Sequence, residues 1–238
     1  MPEFLKTPTG QAVFGVAVAL IALIIIELNY RFFFKYLLDF VFGLVFSLLC
    51  APVLIAGAVI SYKRAGQVFE RTPYLGAKGK IIYVRSFAGI NKGIKNLPRL
   101  LDVLAGKLSF VGISLMCLSD GALMDDKAME RFGTRPGIVN HLVLRGDDKL
   151  TFEEAFALDR RYVRRRELFT DMFIVLKKIV YAIRGEGSLY LGETREKSYG
   201  ETLLMRGEIT ERDLEKAEEH AAEAVKSLSA SKTDNFKR

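Results

Sequence analysis

The chain has 238 residues, 50% of them hydrophobic, and a mean hydropathy of +0.18, more apolar than a small soluble domain needs. That length supports one or two domains with a self-sufficient core and excludes disorder for the bulk of the chain. A formal net charge of +7 suits an anionic partner, whether phosphate ligand, anionic lipid or nucleic acid, while two cysteines, Cys50 and Cys117, make neither a disulfide framework nor a metal-ligand cluster.

The apolar excess begins at the N-terminus. Ala12 to Ile26 is an unbroken apolar or glycine run, extendable through Leu28, at the lower limit of what spans a bilayer. No basic stretch precedes it and Glu27, Asn29, Tyr30 and Arg31 follow it, so a retained transmembrane helix is expected and not a cleaved signal peptide. A second apolar segment, Tyr36 to Ser61, carries Asp39 near its start and Pro52 in its middle, where a proline inside a helix predicts a bend. Arg31 and Lys35 flank it on one side, and Lys63, Arg64, Arg71, Lys78, Lys80 and Arg85 on the other. Basic flanks favour the cytoplasm at both ends, which a re-entrant hairpin satisfies and a crossing does not.

From Gln67 onward the pattern predicts a compact mixed domain. Val68 to Phe69 and Lys80 to Phe87 are strand candidates about a glycine turn at Gly76 and Gly79, and Leu97 to Leu104 is helical, with Pro98 in its first turn and Gly106 as a stop. Arg135-Pro136-Gly137 predicts a turn. Thr151 with Glu154 forms a capping box that opens a helix running to about Arg166. On that helix Arg160, Arg161, Arg164 and Arg165 share one side, and Phe152, Ala155, Phe156, Tyr162 and Val163 the other. Between Asp171 and Arg184, Lys177, Lys178, Tyr181 and Arg184 form a narrow polar face on an otherwise apolar helix, the pattern of a helix lying in a membrane interface. Thr210 with Asp213 starts a charged helix whose seam, Leu214, Ala217, Ala221, Ala224 and Leu228, suits either a partner helix or the chain's own domain. Disorder is expected from Ser229 to Arg238.

These features divide the chain into an N-terminal transmembrane helix over 1–30, a re-entrant membrane helix over 31–64, a folded domain over 65–195, and a charged helix with a disordered tail over 196–238. The fold class expected is membrane-associated α/β (α+β).

Several short patterns in a fixed order carry a resemblance: Asp39 followed by Pro52; Val68-Phe69, Gly76 and Gly79; Arg85-Ser86-Phe87; Leu97-Pro98 through Val103-Leu104, Gly106 and Ser109-Phe110-Val111-Gly112; Arg135-Pro136-Gly137-Ile138; Leu158-Asp159, Tyr162-Val163 and Asp171. Over roughly Tyr36 to Gly192 the chain resembles the bacterial sugar transferases, monotopic enzymes that move a sugar 1-phosphate from a nucleotide sugar to polyprenol phosphate. The resemblance implies a re-entrant helix and a catalytic domain on the cytoplasmic leaflet of the bacterial inner membrane. It further implies covalent catalysis by an Asp-Glu pair, with Mg²⁺ screening the diphosphate.

By register with Gly106 and Ser109-Phe110-Val111-Gly112, that pair falls on Lys95 and Asn96, neither of which is a carboxylate. The stretch between Phe87 and Lys95 is shorter than the family's. Ile113-Ser114-Leu115 replaces a Pro-Arg-Pro, Val139-Asn140-His141 replaces a Thr-Gly-Trp type sequence, and Tyr74 stands where an arginine is usual. The expectation is therefore a degenerate member that binds a protein partner, a second copy, a polyprenol phosphate or a UDP-sugar. The alternative is an active enzyme with a displaced nucleophile, which would need Mg²⁺; Asp102 and the group Asp120, Asp125 and Asp126 are its carboxylate candidates. Phosphate-binding candidates are Lys95, Arg85, Arg135 and Arg145. The membrane-facing basic patch is Arg160, Arg161, Arg164, Arg165, Lys177 and Lys178. No dedicated metal site is expected, His141 and His220 are too isolated to serve as ligands or bases, and the basic residues lack the interleaved aromatics of a nucleic-acid surface.

Overall fold

The computed structural model describes residues 7–91, 93–144, 150–184 and 198–234. Helix α1 (Pro8–Asn29) is capped by Thr7, whose side chain accepts from Gly10 N, and Pro8 occupies the first turn, where its missing N–H costs nothing. The backbone runs on through a π-helical turn, Tyr30–Phe34, into α2 (Lys35–Leu49). Cys50 then leaves helical geometry, and α3 (Ala51–Ala65) departs at 70° from α2. The bend lies where the sequence puts it, but for a different reason. Pro52 sits in the first turn of α3, so it starts a new helix instead of breaking the interior of an old one.

Two small sheets follow. β1 (Phe69–Leu75) and β2 (Ile81–Phe87) pair antiparallel from Phe69 opposite Phe87 to Leu75 opposite Ile81. The turn between them takes Lys78 and Gly79 through positive φ. After α4 (Arg99–Leu104), Gly106 at φ +69° ends the helix, and β3 (Ser109–Gly112) runs parallel to β4 (Gly137–Asn140). The turn expected at Arg135-Pro136-Gly137 is instead the entry to β4: Pro136 bridges Ile113, and Gly137 pairs in the ladder. A Cβ on Gly137 would lie 2.1 Å from Gly112 N, so the glycines here allow two backbones to touch.

Short helices α5 (Leu118–Ala122) and α6 (Asp126–Met129) lead to α7 (Phe152–Arg164), whose capping box forms as expected, and α8 (Leu168–Arg184). Helix α9 (Tyr199–Met205) opens on a second capping box, Ser198 with Glu201. Helix α10 (Glu211–Asp234) packs on α5 and α9 of its own domain, with Ala217 buried at the contact. Its backbone continues through Ser229 to Asp234, past the expected start of disorder; residues 235–238 lie outside the described part.

One apolar core gathers Leu100, Val103, Phe110, Ile138 and Ile174 from α4, β3, β4 and α8, with Ile113 just after β3. The membrane-like helices dock on it with an inverted pattern. The buried stripe of α2 is Lys35, Asp39, Gly43 and Ser47, and that of α3 is Gly57 and Ser61, at four-residue spacing. Large apolar side chains point outward, with Leu48 67%, Leu49 71% and Ile55 66% exposed at the bend. A helix packed in water does the reverse. Both arms nevertheless reach the same domain: a Cβ on Gly43 would lie 3.1 Å from Val103, and one on Gly57 would lie 2.5 Å from the Phe87 ring. Helix α1 is long and apolar enough to cross a membrane and is almost wholly exposed.

Candidate functional site

The position expected to carry the catalytic pair is a short 3₁₀ turn, Gly93–Asn96, packed against α3 and β2. Lys95 and Asn96 are half-buried there, and among the described residues neither has an ion pair or a side-chain hydrogen bond. The nearest carboxylate in sequence, Asp102 on α4, is fully buried. It accepts from Arg85 N at 2.7 Å and faces Arg85 Nε at 3.5 Å and Lys107 Nζ at 3.6 Å. Asp120 is also buried and accepts from Gly200 N at 2.9 Å, tying α9 to α5; burial pushes its carboxyl above the ordinary value of 3.8. Asp125 caps α6. Asp126 stands exposed in the first turn of that helix.

The densest polar cluster lies where α2 meets the domain. Lys35 Nζ donates to Asp171 Oδ2 at 2.6 Å, Val111 O at 2.8 Å and Asp39 Oδ1 at 3.2 Å, which uses all three of its protons. Asp39 also accepts from Ser109 Oγ at 2.6 Å, Phe110 N at 2.9 Å and Arg135 Nη2 at 2.9 Å. Asp171 takes the hydroxyls of Tyr30 and Tyr162, at 2.5 and 2.7 Å. Two cations thus meet two carboxylates, and the buried charge is balanced. Burial, with Asp171 alongside, holds the Tyr162 phenol well above its ordinary range. The other face of Tyr162 stacks on His141 at 4.6 Å, and His141 Nε2 lies 2.7 Å from Asp159, which is paired with the buried Arg131. Arg131 in turn donates to Ser114 O and Oγ. His141 is therefore a packed, hydrogen-bonded core residue; His220 is exposed on α10.

Asp39 and Arg135, expected in separate roles as a membrane-helix marker and a phosphate ligand, are brought together. The Arg135 guanidinium clasps Asp39, donates to Gly106 O and lies 4.4 Å over the Tyr36 ring. Lys35, expected as a flanking charge that orients the segment, is instead only 4% exposed inside this cluster. Its signal was legible as a lysine four residues before an aspartate in an apolar run, the spacing of an ion pair on one helix face. Asp171 and Tyr30, distant in sequence, had no such local signal. Arg145 lies outside the described residues. Arg160, Arg161 and Arg164 lie on the outer side of α7 and Arg165 is its non-helical C-terminal cap; Arg164 meets Glu130 and Arg160 reaches Lys127 O. On α8, Lys177 and Lys178 are half-buried while Phe169, Met172, Phe173, Leu176 and Ile183 stand exposed.

Residues 90–185 match the family model described as Bacterial sugar transferase. Over that segment the chain resembles the family. It is 30% identical over 95 residues to the exopolysaccharide production protein ExoY of Rhizobium meliloti (strain 1021), and 32% identical over 94 residues to the uncharacterized sugar transferase EpsL of Bacillus subtilis (strain 168). A third relative, the exopolysaccharide production protein ExoY of Sinorhizobium fredii (strain NBRC 101917 / NGR234), is 28% identical over 95 residues. Each match covers 40% of this chain and 42%, 46% and 42% of the respective relative, so the shared segment is less than half of those proteins. The matched segment contains the Lys95–Asn96 turn, β3, β4, α7 and α8, while Lys35 and Asp39 precede it. The family together with the apolar α1 points to membrane association.

The donor set does not fit the Mg²⁺ that the resemblance implies. An ammonium and an amide stand at the expected carboxylate positions, and no three His, Cys, Asp or Glu side chains gather as a metal site among the described residues.

Proposed function

We propose that the chain is a membrane-seated sugar transferase homologue of exopolysaccharide or other envelope glycan synthesis that lacks transferase turnover and acts as a partner or ligand-binding subunit. The observation that carries this reading is a contrast within one domain. The buried Lys35–Asp39–Asp171–Arg135 cluster is complete, whereas the expected nucleophile position holds Lys95. A lysine cannot form the acyl phosphate of a carboxylate nucleophile, and Asn96 offers a divalent cation no charge. A displaced nucleophile finds little support, because Asp102 is enclosed between Arg85 and Lys107, while Asp120 and Asp125 secure helix ends. The glycan context comes from the relatives, two of which are named for exopolysaccharide production.

In this reading the domain lies on the cytoplasmic leaflet of the bacterial inner membrane, with α1 crossing and the α2–α3 pair dipping in and returning. The 70° bend, the apolar tip and the docking of both arms on one domain support the re-entrant path, since a straight crossing would carry one arm away. The exposed apolar face of α8 suits the same interface, with the α7 arginines near anionic headgroups.

The test is incubation of the purified full chain with a panel of UDP-sugars, Mg²⁺ and undecaprenyl phosphate. No UMP release above a mock purification is expected. Release that scales with this protein and survives removal of contaminating transferase would refute the loss of turnover.

A further inference from the structure

We propose that the cross-strand pair Arg71 and Arg85, with Lys107 and Lys95, forms a site for a phosphate ester that needs no divalent cation. The proposal rests on the reading above that the carboxylates which would hold a metal are absent, and it adds what takes their place.

The argument starts from the ladder. Arg71 lies directly opposite Arg85 in the β1–β2 register. The Arg85 N–H points away from β1, to Asp102, while Ala88 N bonds back to Val68 O. Hydrogen-bonded pairs alternate along an antiparallel ladder, so Arg71 and Arg85 form one of its non-hydrogen-bonded pairs, the closer kind, with Cα atoms about 4.5 Å apart. Like charges in that arrangement repel.

Among the described residues little relieves the repulsion. Arg71 is exposed and has no ion pair among the described residues. Arg85 shares Asp102 with Lys107, whose ammonium also donates to Tyr83 O at 2.9 Å. Glu70 and its partner Ser86 alternate onto the opposite face of the ladder from Arg71 and Arg85. The turn that holds Lys95, itself without an ion pair, packs on β2, the strand of Arg85. Arg85 and Lys107 thus share one buried carboxylate, while Arg71 opposite Arg85 and Lys95 on the turn packed against β2 add two cations that have no ion pair among the described residues.

The Arg85 and Lys107 side chains are 25% and 34% exposed, so both are partly accessible to a ligand. A phosphate ester supplies the missing charge and accepts from guanidinium donors in a forked geometry. Fixed cations here replace the screening that a bound metal gives elsewhere, and binding should survive chelation.

The experiment uses the full chain in zwitterionic phosphatidylcholine nanodiscs, with three probes: UDP, inorganic pyrophosphate and a short polyprenyl phosphate placed in the disc. None is a sugar donor, so the result is independent of whether UDP-sugars are turned over. Each probe is titrated with Mg²⁺ and with EDTA, on the unmodified chain, on Arg71→Gln, on Lys95→Gln and on Lys216→Gln as a charge control. Arg71 and Lys95 are chosen because neither holds a structural partner.

Binding that is equal in EDTA and Mg²⁺, and about tenfold weaker in Arg71→Gln and Lys95→Gln but not in Lys216→Gln, supports the site. UDP or pyrophosphate giving that pattern identifies a soluble phosphate or diphosphate group, and the polyprenyl probe alone giving it identifies a lipid phosphate. Binding of no probe, binding abolished by EDTA, or equal binding by all variants overturns the proposal.

Discussion

Replacing Asp39 with alanine should remove the joint between the bent apolar segment and the domain. The carboxylate is 2% exposed and receives Lys35, Ser109, the Phe110 amide and Arg135 within 3.2 Å. Its loss leaves two cations in a buried site with one remaining carboxylate, Asp171, which already serves two tyrosine hydroxyls. Removing one partner of a buried pair costs about 3–5 kcal/mol, because the remaining charge stays desolvated and uncompensated. For a chain of this size that corresponds to a melting temperature lower by roughly 6–20 °C.

The assay is thermal unfolding of the full chain in nanodiscs, followed by far-ultraviolet circular dichroism. The partner substitution Arg135→Gln and the double variant complete a mutant cycle. The two single losses should be strongly non-additive, since each variant breaks the same contact. A shift below about 2 °C for Asp39→Ala, or simple additivity with Arg135→Gln, would refute the view that this cluster holds α2 to the domain.

Gly57→Val should destabilise by about 1–3 kcal/mol, because its Cβ would enter the Phe87 ring; Gly15→Val, with nothing within 4 Å, should leave the melting temperature unchanged, and equal effects would show that α3 does not dock through Phe87. The Asp120 carboxyl is raised by burial above 3.8, so the folded state binds its proton more tightly than the unfolded one; its contribution favours folding at low pH and is lost as pH rises from about 3.8 through the folded value. The melting temperature of Asp120→Asn relative to the unmodified chain should therefore rise between about pH 4 and pH 7, and a pH-independent difference would contradict the assignment. Changing Phe173 and Leu176 to Glu on the exposed face of α8, or Arg160, Arg161, Arg164 and Arg165 to Gln, should weaken association with anionic vesicles while changing the melting temperature little; unfolding of either variant would mean that these side chains pack internally.

Local signals are legible in the sequence where backbone chemistry acts within a few residues. Thr151 and Glu154 predict the start of α7, Gly106 the end of α4, and Gly76 and Gly79 the turn between β1 and β2. Ser198-Tyr199-Gly200-Glu201 carries the same capping pattern before α9, a segment too short to show an apolar period. Arg135-Pro136-Gly137 misleads for a physical reason: proline and glycine signal a turn, but here they satisfy a strand entry and a close backbone contact with Gly112. Long-range pairings such as Tyr30 with Asp171, 141 residues apart, have no local signal at all.

The membrane-like helices call for the opposite reading of hydrophobic periodicity from that used for the rest of the chain. In a soluble helix the apolar stripe marks the docking face, because burial removes that stripe from water. Where lipid replaces water, apolar side chains gain little by leaving the surroundings, and packing depends on close approach and polar contacts. The docking face is then the stripe of exceptions. In α2 those exceptions are Lys35, Asp39, Gly43 and Ser47, in α3 Gly57 and Ser61; all six are buried, and Lys35, Asp39, Gly43 and Gly57 meet the domain directly. Composition alone identified both segments as apolar, and the same residues that weakened a simple transmembrane reading, Asp39 above all, mark where the protein is. Helix α1 has no comparable polar stripe from Ala12 to Ile26 and remains exposed on nearly every side, which is the arrangement expected of a helix whose only neighbour is lipid.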